Sequence, residues 1–228
     1  MRQTRFLPLA MTAIAALAVS NAAAAADRTI DFDEGKAGQV PAGWQLTATH
    51  GGDKRARWIV EDAKGPRGDT KVFSLVEPEA TGILARVTAA NTFNIAWLPE
   101  TKARDIDVSV AIRANDGDID QGGGLIWRAR DQDNYYVARY NPLEHNFRIY
   151  YVKDGKRQQL SSADNLKVGT GEWFTMRVVQ RGDQIEGYVN GDKLTTLRDG
   201  TFKEAGTVGL WTKADAKTSF DNLVIKEL

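Results

Sequence analysis

GLIWRARDQDNYYVARYNPLEHNFRIYYVKDGKR, from Gly124 to Arg157, contains three apolar runs parted by short polar turns. Side chains alternate across a strand with a period of two, so each run sorts into two faces. Leu125, Trp127 and Ala129 alternate with Ile126, Arg128 and Arg130. Tyr136, Ala138 and Tyr140 alternate with Tyr135, Val137 and Arg139, and Phe147 and Ile149 oppose Arg148 and Tyr150. The reading is three successive antiparallel strands, with one face for a core and a second repeatedly carrying Arg and Tyr.

The same pattern extends in both directions. ARWIVED, KVFSLVE, TFNIAWL and DIDVSVAIRA precede the stretch, while WFTMRVVQR, QIEGYVN, TVGLWTK and SFDNLVIKE follow it. In WFTMRVVQ, Phe174, Met176 and Val178 form the core side, and in QIEGYVN it is Ile185, Gly187 and Val189. KDGK (153–156), QRGDQ (180–184) and NGDK (190–193) supply turn chemistry suited to tight hairpins. No amphipathic helix, βαβ spacing, internal repeat or low-complexity linker interrupts the series. At least eleven strands are expected, forming an all-β, single antiparallel two-sheet sandwich or jelly roll.

The N-terminus reads differently. Arg2 and Arg5 precede an apolar run from Phe6 to Val19, and Ala24-Ala25-Ala26 offers a small-residue cleavage site. This is the pattern of a secretory signal peptide at 1–26, cut before Asp27. The run of about 14 residues is short for a membrane span of about 20. Residues 27–228 are then expected as one domain, periplasmic or extracellular, with no membrane insertion after cleavage, and monomeric. Thirty basic and thirty acidic residues balance without a basic block, which argues against non-specific nucleic-acid binding. There is no cysteine, so stability rests on the core, and thiolate metal sites and Cys nucleophiles are excluded.

Asp116, Asp118 and Asp120 resemble a ladder of catalytic carboxylates. Asn115 and Gly117 instead make the segment a turn, with only Asp120 entering the next strand. Gly122-Gly123-Gly124 marks a bulge or a close approach, by backbone or by ligand. His50 and His145 are far apart in sequence and give no zinc site, and no G-x-S-x-G elbow occurs.

The strongest binding lead is the Arg/Tyr face. Arg128, Tyr135, Arg139, Arg148 and Tyr150 are expected on one side of three strands, with forked donors and amphipathic rings suited to sugar hydroxyls and carboxylates. Gln121, Asn141 and Lys213 are candidate rim residues, with Asp120 and Glu144, and Trp211 is a candidate stacking surface.

IDQGGGLIWRARDQDNYYVARYNPLEHNFRIYYVKDGKR, EWFTMRV, YVNGDKL and VGLWTKADAKTSFDNLVI resemble secreted bacterial domains of the concanavalin A-like lectin/glucanase superfamily. They are similar to its 3-keto-disaccharide hydrolase-like and laminin-G-like groups. The resemblance covers roughly Ile119 to Ile225, with DFDEGKAGQVPAGW matching more loosely. It implies a two-sheet jelly roll whose concave face meets a carbohydrate or glycoside ligand. The Glu-based motif of family-16 glucanases is not reproduced, since the acids at 116, 118 and 120 are all Asp. Three functions stay open: a carbohydrate-binding domain; a hydrolase or lyase acting on a 3-keto-disaccharide or related glycoside; and a non-catalytic envelope interaction domain. For the enzyme, Asp120 or Glu144 would be the base, and Arg128, Arg139 or Lys213 the carbonyl-polarising cation. No cofactor is required on this reading. Jelly-roll carbohydrate modules often hold a structural calcium where their first and last strands pair. Asp31, Asp33 and Glu34, with Asp221, are the residues available for one here.

Overall fold

A computed structural model describes residues 27–51, 56–78 and 90–228. The signal-peptide segment lies outside the described residues. In chain order the strands are Arg28–Ile30 (β1), Gln45–Thr49 (β2), Arg57–Gly65 (β3), Gly68–Glu77 (β4), Phe93–Ala103 (β5), Ile106–Asp116 (β6), Gly123–Asp131 (β7) and Asn134–Asn141 (β8). They continue with Asn146–Lys153 (β9), Lys156–Asp164 (β10), Trp173–Arg181 (β11), Gln184–Val189 (β12), Asp192–Arg198 (β13), Gly206–Lys213 (β14) and Lys217–Glu227 (β15). No helix occurs among the described residues.

Two antiparallel sheets form a sandwich. One runs β13-β12-β11-β6-β15-β4-β3, with β1 added against β15; the other runs β10-β9-β8-β7-β14-β5-β2. The turns chosen from sequence are hairpins. Asp154 with Gly155, and Asn190 with Gly191, have positive φ at both central positions. That is the mirror-image turn whose twist matches the strands it joins.

The alternation predicts the inter-sheet core well. Leu125, Trp127, Tyr136, Ala138, Tyr140, Phe147 and Ile149 from the seven-stranded sheet meet Trp58, Phe73, Phe174, Met176 and Val178 from the other. Tyr136 stacks on Trp127, ring centroids 5.5 Å apart, and its hydroxyl donates to Asp199 Oδ1 at 2.5 Å. The triple glycine is also explained. A Cβ at Gly122 or Gly124 would collide with the carbonyl oxygen of Tyr140 or Ala138, and one at Gly123 would lie 2.7 Å from that of Trp211. Close backbone approach requires this run, as the sequence pattern implies.

Candidate functional site

The first site residue to settle is Arg128, and it leaves the face expected of it. The β7–β8 register breaks between Trp127 and Asp131, and Arg128 adopts φ 46°. A bulge adds a residue to one strand and re-aims its side chains. Ala129 therefore joins the outer cluster rather than the core side, while Arg128 is 1% exposed and turned toward the end of the sandwich. Its guanidinium donates to the carbonyls of Arg104 (2.6 Å), Phe202 (2.8 Å) and Gly182 (2.9 Å), and to Asp105 Oδ1 (3.1 Å). Arg128 pins three turns and spends all three of its guanidinium nitrogens on them.

Tyr135, Arg139, Arg148 and Tyr150 do share the outer face, but it is not an open platform. Phe93, Ile95, Ile126, Tyr135, Val137, Tyr150, Val152 and Trp211 form a second buried apolar cluster there. The cause is curvature. Edge strand β2 is separated from β8 by three strands in the sheet order. Even so, Thr47 Oγ1 donates to Gln132 Oε1 at 2.8 Å, and the Thr49 and Tyr135 hydroxyls share a 2.8 Å hydrogen bond. His50 lies against Gly155 in the β9–β10 turn, and the Arg157 guanidinium sits 5.2 Å from the Phe93 ring centroid. The sheet curls until its first edge meets the far turns. Trp211 is consequently 1% exposed, with its indole N–H given to Tyr135, so it offers no exposed stacking surface. Burial also pushes the Tyr135 phenol above its ordinary range.

Polar groups gather at one end of this face. Lys213 Nζ contacts Asp120 Oδ2 at 2.7 Å, and Asn141 Nδ2 donates to Asp120 Oδ1 at 2.9 Å. Asp120 lies in the loop before β7, not in the strand, and burial holds its carboxyl above the usual carboxylate range despite Lys213. Arg139, 2% exposed, donates to Asn146 Oδ1 and Glu144 Oε2, both at 2.9 Å, and Arg148 reaches the same Glu144 oxygen at 3.0 Å. Burial works against ionised Glu144, but its hydrogen bond with Arg139 and the positive charge there help bring its carboxyl below the usual range. Gln121 is spent on the loop, with its amide donating to Gly117 O and accepting from Thr170.

Two participants escaped the sequence reading. Asp215 accepts from the backbone N–H groups of Asp118, Ile119 and Asp120 at 2.8–3.0 Å, which fixes the acidic turn. Arg157 follows the KDGK turn and pairs with Val152, which places it on the outer face. Extending the alternation across that two-residue turn would have located it.

The residues available for calcium have partners of their own. Asp33 Oδ1 accepts from Thr70 Oγ1 at 2.7 Å and Lys71 N at 3.0 Å, and Lys71 Nζ donates to Asp33 O at 2.9 Å. An ammonium group thus stands beside Asp33. Asp221 accepts from Asn222 at both carboxylate oxygens. Burial raises the Asp221 carboxyl, and Asp31 and Asp33 are close enough to raise it further. Among the described residues, no group of three or more His, Cys, Asp or Glu is arranged to hold a metal.

The profile of the 3-keto-alpha-glucoside-1,2-lyase-like domain matches residues 34–226. The chain belongs to that family. No curated protein matches it. Among solved structures, it is similar to the carbohydrate binding module CBM66 from Bacillus subtilis, with TM-score 0.57 and 17% identity over 81% of this chain and 96% of that one. The cellulose induced protein Cip1 gives 0.60 and 14% over 88% and 97%. Domain 4 of an extracellular GH43 arabinanase from Geobacillus stearothermophilus, solved with arabinotriose, gives 0.54 and 15% over 87% and 90%. These likenesses identify the sandwich of this lyase-like family member as a jelly roll.

Proposed function

We propose that the chain is a carbohydrate-binding jelly-roll domain whose ligand is taken at the polar end of the curled sheet, between the Asp120–Lys213 pair and the Arg139–Glu144 pair. The observation that carries this reading is Arg139. It is a buried guanidinium whose Nε has no hydrogen-bond partner, although its other nitrogens are engaged. Buried donors are rarely left unmade without a role. The carbohydrate binding module and the arabinotriose-bound arabinanase domain support the class of ligand. Calorimetric titration against an array of oligosaccharides tests it. Binding that weakens when Asn146→Ala frees Arg139 supports the reading, and no binding across the array removes it.

A second reading, lyase chemistry on a 3-keto-glucoside, is favoured by family membership and by Asp120. In a 3-keto sugar the carbonyl acidifies the C2 proton. A base takes that proton, the C1–C2 double bond forms, and the C1–O bond breaks with protonation of the departing oxygen. Asp120, whose proton affinity burial raises, is suited to exchange protons, and Lys213 or Arg139 to polarise the C3 carbonyl. Incubation with 3-keto-glucosides should give a conjugated enone, followed by its ultraviolet absorbance. Asp120→Asn should abolish turnover while keeping binding. Equal turnover by this variant would eliminate Asp120 from the chemistry.

A further inference from the structure

Two guanidiniums, from β8 and β10, meet at one ring on β9, with a third beside them. The Arg139 and Arg157 carbons lie 6.0 and 4.5 Å from the Tyr150 ring centroid, and Arg148 completes the set beside Glu144. Lys213 adds a fourth cation, against the two carboxylates Asp120 and Glu144. Glu144 answers two of the guanidiniums through a single oxygen, which also accepts from Asn146 at 3.2 Å. Arg157 has no ion pair among the described residues, and its NH1 is buried without a hydrogen-bond partner, as is Arg139 Nε. Burying a charged donor without an acceptor is costly, and a second carboxylate would relieve that cost. A guanidinium offers planar, paired donors that match a carboxylate better than a neutral hydroxyl.

We propose that this cluster is a subsite for the carboxylate of an acidic sugar, a uronate unit, held by Arg139 and Arg157 over Tyr150. The proposal rests on the carbohydrate-binding reading and narrows its ligand. Glu144 sits on the β8–β9 turn with its side chain 41% exposed and occupies the position on Arg139 that the ligand acid takes. It is a built-in competitor that can withdraw to solvent. Burial and the neighbouring Arg139 charge both lower the pKa of Arg157, which fits a cation awaiting a counter-charge.

The test compares calorimetric affinities for galacturonate and glucuronate oligosaccharides, the neutral galactose and glucose counterparts, and sulfated counterparts. Uronates are expected to bind about tenfold tighter than neutral sugars or better, with the margin shrinking as salt is raised. Arg157→Gln should reduce that margin to near one, with the melting temperature confirming the fold, and Glu144→Gln should strengthen uronate binding. Equal affinity for uronate and neutral sugars, or a margin that survives Arg157→Gln, overturns the acidic subsite and leaves the carbohydrate reading standing. Sulfated sugars binding as tightly as uronates overturn the carboxylate assignment. No binding of any sugar overturns both readings.

Discussion

At Asp221, burial outweighs the hydrogen bond from the Asn222 amide and raises the carboxyl from 3.8 to about 6. A folded-state value above the unfolded one means that the folded protein holds the proton more tightly. The associated stability is full below the unfolded value and is lost as pH climbs through about 6. Denaturation midpoints from acid to neutral pH should show this decline, and Asp221→Asn, which stays neutral, should flatten it. Arg128 invites a second test. Its truncation to alanine strands three backbone carbonyls and Asp105, so a loss of about 3 kcal/mol is expected in chemical denaturation. A surface residue would change stability by no more than about 0.5 kcal/mol. Arg139→Ala should likewise destabilise, contrary to an open-face reading. Tyr136→Ala should cost about 3 kcal/mol or more, because it empties the site stacked on Trp127. Sequence alternation placed Tyr136 and Arg139 on their correct faces. It did not show that Tyr135, on the same face as Arg139, is enclosed, because the Thr49 hydroxyl that meets it lies 86 residues away along the chain.

Strand β7 shows where period-two reading ends. The pattern holds through Trp127 and fails at Arg128, where the register against β14 slips by one residue and brings Ala129 to the outer face. Residue types alone carry no sign of this: an arginine and an alanine are each acceptable on either face. The triple glycine was legible, because close approach leaves a compositional mark. Gly124→Ala forces a methyl into the Ala138 carbonyl and should abolish cooperative folding or lower the melting temperature sharply, as thermal denaturation would show. Gly171→Ala is the control of the opposite kind. Nothing lies near its missing Cβ, so any loss there reflects only its φ of 83°.

Across the whole molecule, the two-sheet plan was legible from apolar runs and turns, but the strand order was not, because pairing partners far apart in sequence leave no local signature. Export is a proposal at this scale. Mass spectrometry of the mature protein should find Asp27 as the first residue, and retention of 1–26 would reject cleavage. The positions of the last two strands have a consequence for biosynthesis. β14 lies between β7 and β5 at the middle of one sheet, and β15 lies between β6 and β4 at the middle of the other. Until those strands emerge from the ribosome, each sheet is two separated halves with unpaired inner edges. Both sheets are therefore completed only when synthesis of this domain is nearly finished. Removing β15 would part β6 from β4 and should abolish cooperative unfolding, as thermal denaturation would show.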